Sequence, residues 1–220
     1  MRRLFGLFVL LVVAGCTPAL SPQQLAQYQG RTLYTCCNMH YEGENLSDAN
    51  YYVGALLPFG SAAQVEGSGR GTVIFTANGT KFYLAHSYGA AQESFEQYLN
   101  KVLVPEDPKA RFATFSPSVQ AAIQESRVEK GMTREQVIMS IGYPPTHQTP
   151  DLNGTQWRYW YNRWVTYIVE FDANGFVSNI IGTTAPTHNS PVTQALPAPA
   201  TPSKRTPTKR PVRRPPPSKQ

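Results

Sequence analysis

The chain has 220 residues, 41% of them hydrophobic, with 20 Lys+Arg against 14 Asp+Glu and a formal net charge of +6. The excess is local: two arginines lie in the first 15 residues and seven cations in the last 36, so residues 17–184 hold eleven cations against all fourteen acids, a net charge of −3. A basic, nucleic-acid-binding body is thereby excluded, while about 165 residues suit one large domain or two small ones, each able to bury a core.

Arg2 and Arg3 precede an uncharged apolar run from Leu4 to Ala14. At eleven residues it is too short to cross about 30 Å of hydrocarbon as a helix, and reads as a signal peptide over residues 1–15. Val13, Ala14, Gly15 and Cys16 close it. They resemble the lipobox of bacterial lipoproteins, which implies a diacylglycerol on the Cys16 sulfur, cleavage before Cys16 and acylation of the new amino terminus. One acyl chain binds a bilayer marginally and more than one binds it stably, so acylated Cys16 would anchor the chain to a lipid bilayer. Thr17 in place of Asp implies the outer membrane, periplasmic face. Residues 16–30 are then expected to be a lipidated linker.

Cys36, Cys37 and His40 in "TCCNMHYEG" offer three soft ligands, one short of a closed tetrahedral zinc site, and no C-x-x-C pair exists. Buried strand cysteines or one disulfide are the expectation, with no metal and no cofactor. From Tyr51 to Gly89, short β-prone runs alternate with Pro-Phe-Gly and Asn-Gly turns. They predict a small β-barrel or curved sheet resembling bacterial SH3-like modules, spanning 31–104. Phe95, Tyr98, Leu99, Val102 and Leu103 fall on one helical face that closes this module before Pro105. Residues 105–117 are the expected boundary.

Ser116 and Pro117 open a helix to about Arg127 with Val119, Ala122 and Ile123 inward. Thr133 followed by Gln136 forms a capping-box pattern with Met132 and Val137 at the staple positions. Val137, Ile138 and Ile141 make one apolar face, Gly142 supplies the left-handed cap, and Pro144 and Pro145 stop the helix. "TQWRYWYN", "RWVTYIVEF" and "FVSNIIG" then read as three strands joined by tight turns. Two helices on an antiparallel sheet make this an α+β domain over 115–182. Alternation puts Trp157, Tyr159 and Tyr161 on one face of the first strand, and in the second it puts Val165, Tyr167, Val169 and Phe171 inward with Trp164, Thr166, Ile168 and Glu170 opposite. Trp160 is outward if the Trp157 set packs on the helices, while the opposite register would bury Trp160 and expose Trp157. Tyr143, Arg158 and Trp160 are therefore the candidate partner-binding residues.

Lys130, Gly131, Met132, Thr133, Val137, Gly142 and Pro144, with Trp157, Tyr159, Phe171, Gly175 and Val177, resemble the SmpA/OmlA domain, the BamE component of the outer-membrane β-barrel assembly machinery. The resemblance implies a two-helix, three-strand unit similar to the β-lactamase-inhibitor-protein fold, without catalytic residues. It also implies an outer-membrane protein or assembly complex as the partner.

The tail, residues 185–220, holds ten of the 19 prolines, no acid and no aromatic residue. It cannot bury enough apolar surface to offset its chain entropy and is expected to be disordered. Its polyproline-II contour is about 110 Å, and its cations suit peptidoglycan or lipopolysaccharide. His86 and His147 have neither a G-x-S-x-G elbow nor a catalytic cysteine signature to work with. A non-enzymatic scaffold or docking lipoprotein of the cell envelope, in β-barrel outer-membrane protein assembly, is the expected function. The alternative is a peptidoglycan-binding lipoprotein that uses the SH3-like module and the basic tail.

Overall fold

The computed structural model describes residues 19–182. The signal peptide, Cys16 and the tail from 185 lie outside the described residues. Helix α1 (Pro22–Ala26) starts at a capping box between Ser21 and Gln24, with Pro22 at its first position. Leu20 is only 2% exposed, and it and Tyr28 belong to the first core, with Leu25 packed against it. The stretch expected as a linker is thus folded from Ala19 onward, because its few apolar residues all reach that core.

Eight strands follow in one curled sheet. They are β1 (Leu33–Thr35), β2 (Met39–Glu42), β3 (Asn45–Ser47), β4 (Ala55–Leu57), β5 (Ala62–Gly69), β6 (Thr72–Ala77), β7 (Thr80–Ala85) and β8 (Leu103–Val104). The order is β4-β2-β3-β7-β6-β5-β1-β8, with β3 and β7 parallel. Asn78 and Gly79, both at positive φ, turn β6 into β7 as an Asn-Gly hairpin should. Val73, Phe75 and Ala77 alternate inward and meet Phe82 and Leu84. Helix α2 (Phe95–Val102), capped by Ser94 and Gln97, lays Tyr98, Leu99 and Val102 on the same core. It runs straight into β8, which pairs with β1. The curved sheet is present. Its likeness to SH3-like modules gains no support from a strand order with a parallel pair and a helix before the last strand.

Three helices and a second sheet make the remainder: α3 (Lys109–Phe112), α4 (Pro117–Gln124), α5 (Arg134–Ile141), β9 (Gln156–Trp160), β10 (Thr166–Phe171) and β11 (Val177–Ile181), with antiparallel order β11-β10-β9. The Thr133–Gln136 capping box forms, and Gly142 stands at φ 79° with its N–H on Ile138 O at 2.7 Å. Ala122, Ile123, Met132, Val137, Trp157, Tyr159, Tyr167, Val169 and Phe171 fill the second core. Strand β10 starts at Thr166 because Asn162 Oδ1 accepts the N–H groups of Trp164 and Val165 at 2.9 and 3.0 Å, folding residues 161–165 into a loop. Val165, expected inward, is exposed for that reason.

Two asparagines stitch the cores together. Asn38 Nδ2 donates to Ile123 O at 2.6 Å and Ser140 O at 3.0 Å, while its Oδ1 accepts from Phe59 N–H at 3.0 Å. Asn50 Oδ1 accepts from His40 N–H, and its Nδ2 donates to Ile141 O, both at 2.8 Å. Phe59 itself packs in the second core, 4.8 Å from the Phe112 ring.

Candidate docking surface

With Trp157, Tyr159, Tyr167, Val169 and Phe171 turned onto α4 and α5, the alternate positions of the second sheet face away from that core. Cross-strand pairing orders them in rows. Glu170 lies between Gln156 and Asn179 and accepts from both side chains, at 2.8 and 3.1 Å. Ile168 lies between Arg158 and the exposed Ile181. Thr166 pairs with Trp160 and accepts from Arg158 Nη1 at 3.3 Å. The face is therefore polar at one end, aliphatic in the middle and aromatic at the other.

The aromatic end continues onto the first sheet's loops. The half-buried Trp160 ring stands edge-on to Tyr51 at 6.4 Å. Tyr51 donates to the Tyr88 hydroxyl at 2.8 Å, and Tyr88 stacks on His147 at 5.6 Å. Burial, then the hydrogen bond and charge of Tyr88, pushes the Tyr51 phenol up to about 12. The Trp160 indole N–H is buried and has no acceptor among the described residues. Beside it, at the tip of the β9–β10 loop, Trp164 is 80% exposed with the Arg163 guanidinium 5.2 Å over its ring.

The structure places Arg158 and Trp160 on one face, two positions apart, and puts Tyr143 elsewhere. The Tyr143 ring packs against the first core under the Lys101 ammonium, 5.6 Å away. There it shares a groove with Cys36, Val104, Ile138 and Met139. Sequence reasoning turns Trp164 outward, but on a strand that begins at Arg163, whereas the structure holds both residues in the loop before β10. The available signal was Asn162, a turn-forming residue midway between two aromatic runs.

The groups with chemical potential are committed to structure. Cys36 and Cys37 are joined in a vicinal disulfide, one of the two expected states. His40 Nε2 lies 3.1 Å from Ser126 Oγ, and burial pulls its pKa down to about 4, leaving a neutral ring. His86 Nδ1 lies 2.8 Å from Asp48 Oδ2, and its Nε2 lies 3.0 Å from Glu93 O. Burial alone would lower the His86 pKa, but the Asp48 carboxylate and the Glu93 carbonyl outweigh it and raise it. Burial would likewise raise Asp48, yet the His86, Gly89 and Ser87 hydrogen bonds hold its carboxyl below the usual range. The Asp48 carboxylate and the Glu93 carbonyl flank the two ring nitrogens and favour the charged form of His86. Among the described residues no group of three or more His, Cys, Asp or Glu could hold a metal ion.

Two short helices laid on one side of a three-stranded antiparallel sheet define an α+β domain whose opposite sheet face is turned away from its core. Residues 122–181, from Ala122 in α4 to Ile181 at the end of β11, match the family model described as the outer membrane protein assembly factor BamE domain. The C-terminal part of the chain is a BamE-like domain, as its motif residues indicate. Neither the curated proteins nor the solved structures include a match to this chain.

Proposed function

We propose that this chain is an outer-membrane lipoprotein, anchored through acylated Cys16 at the periplasmic face, that serves β-barrel outer-membrane protein assembly as a non-enzymatic docking factor. One observation carries the reading: the sheet face of the BamE-like domain presents Arg158, Ile168 and Ile181 and ends in Trp160 and the fully projecting Trp164. Tryptophan and arginine supply interface energy out of proportion to their number. Trp164 has no packing role to explain it, whereas Trp160 also supports Tyr51. The peptidoglycan-binding alternative gains no support from the curled first sheet. A contact of the basic tail with lipopolysaccharide or peptidoglycan is compatible with the docking role.

The test is affinity capture from detergent-solubilised envelopes with the wild-type chain and the Trp164→Ala and Arg158→Ala variants. Each variant should bind the outer-membrane assembly machinery more weakly, by a factor of about 30 for a hot spot near 2 kcal/mol, with thermal stability unchanged. Undiminished capture by both variants overturns the docking face.

A further inference from the structure

The tether between lipid and fold is very short. Ala19 N–H is bonded to Gly69 O at 2.9 Å and Leu20 N–H to Ser68 Oγ at 2.8 Å. Leu20 is buried in the first core, and α1 begins two residues later at its own capping box. Gln24 Nε2 further ties α1 to Glu96 at 2.7 Å. The chain is therefore fixed from Ala19, and only Thr17 and Pro18 separate that residue from Cys16. Three Cα-to-Cα steps span at most about 11 Å even when fully extended. An acylated Cys16 lies in a headgroup layer roughly 5–7 Å deep, so Ala19 cannot leave the membrane surface.

We propose that the end of the first sheet held to Ala19, led by the β5–β6 turn, lies against the bilayer and contacts phospholipid headgroups. The inference rests on acylation of Cys16. Gly69, whose carbonyl holds Ala19, is followed by Arg70 and Gly71, both exposed. Gly71 sits at φ 67°, so the turn is tight and carries no bulk beside its cation. Arg70 makes no ion pair among the described residues. The nearest acid along β5, Glu66, is already engaged by Lys81 at 2.8 Å. A lone guanidinium within reach of the surface matches phosphate headgroups in charge and in hydrogen-bonding geometry. Such a mount gives the fold one fixed end at the membrane, so the docking face stands at a set height and does not swing on a leash.

The experiment uses the full lipidated chain with Thr72→Cys, beside the turn at the start of β6 and leaving Arg70 in place, reconstituted in phosphatidylethanolamine–phosphatidylglycerol vesicles that carry a headgroup nitroxide lipid. With Cys16 acylated and Cys36 bonded to Cys37, the introduced thiol is the chain's one free thiol, because the sequence has three cysteines, and it takes a single fluorophore. A companion chain carries twelve Gly/Ser residues between Pro18 and Ala19, which adds an r.m.s. reach of about 19 Å and should cut headgroup quenching at least about twofold. Both chains should float with the vesicles, and the native-length chain should be the strongly quenched one. If both float and are quenched alike, the mounting is wrong while the anchor stands. If the native-length chain fails to float, the anchor itself is wrong and the mounting falls with it.

Discussion

Replacing Asn38 by Ala tests whether the two cores hold each other. The substitution removes three side-chain bonds across the seam: two donated by Nδ2 to Ile123 O and Ser140 O, and one accepted by Oδ1 from Phe59 N–H. The two carbonyls keep other partners, since Ser126 N–H reaches Ile123 O at 3.0 Å and Ser126 Oγ reaches Ser140 O at 2.9 Å. Each therefore loses only a net bond of about 1 kcal/mol. The buried Phe59 N–H is left bare, at roughly 1–3 kcal/mol, which brings the total to about 3–5 kcal/mol. Against a domain stability of roughly 5–15 kcal/mol this is large. Asn38→Asp should cost more, because a buried anion would face two carbonyl oxygens. Urea unfolding, followed by tryptophan fluorescence and far-UV circular dichroism together, measures the loss. A single coincident transition in the wild type that splits or shifts strongly in Asn38→Ala is the expected result. A loss below about 1 kcal/mol would falsify the seam, since even one surviving net bond accounts for that much.

Gly142→Val should cost about 2 kcal/mol or more, because left-handed strain at φ 79° adds to a collision of the new Cβ with Asn50 Nδ2; that is a fall of roughly 4–8 °C in Tm, and an unchanged Tm refutes the cap. His40, with a folded pKa of about 4 below its ordinary 6.5, is protonated first in the unfolded chain. Its contribution is thus fully present above pH 6.5 and lost as pH falls toward 4, by about 3 kcal/mol in all. His40→Gln should flatten the urea midpoint between pH 6.5 and 4, and an unaltered acid limb would reject the assignment. His86, with its pKa raised, acts in the opposite sense: its stabilisation is complete below pH 6.5 and disappears as pH rises through the folded value, so His86→Gln should reduce stability more at pH 6 than at alkaline pH. Cys16→Ser should release the protein from the membrane fraction, and a processed variant that still sediments with membranes shows that lipid is not the anchor.

What the sequence revealed was local. The capping box from Thr133 to Gln136, the stop at Gly142 and the alternation of Trp157 and Tyr159 each depend on residues within a few positions of one another. Propensity and periodicity record such relations directly. The seam was invisible for the opposite reason: Asn38 meets partners 85 and 102 residues away, and an asparagine that binds distant carbonyls looks in sequence like one in a turn. Leu20 and α1 escaped notice because five residues of helix carry too little periodicity to stand out beside a lipidation signal. Tyr143 was assigned to the surface from its place after a helix stop, yet the fold offers it the first core and Lys101. Alternation already turns Trp164 outward, but strand propensity hid the loop that carries it. An Arg-Trp-Val run scores as strand whether it pairs or projects, and the Asn162 side chain makes it project.

The docking face itself is tested most directly by photocrosslinking in intact cells, with a photoreactive residue at Trp164 and a second at Tyr143, followed by mass spectrometry of the products. Residue 164 should give adducts with proteins of the outer-membrane assembly machinery, while residue 143, half-buried in the groove beside Cys36, Ile138 and Met139, should give none with that machinery. Adducts of residue 164 with lipid or peptidoglycan alone, or machinery adducts from residue 143 and none from 164, would contradict the account.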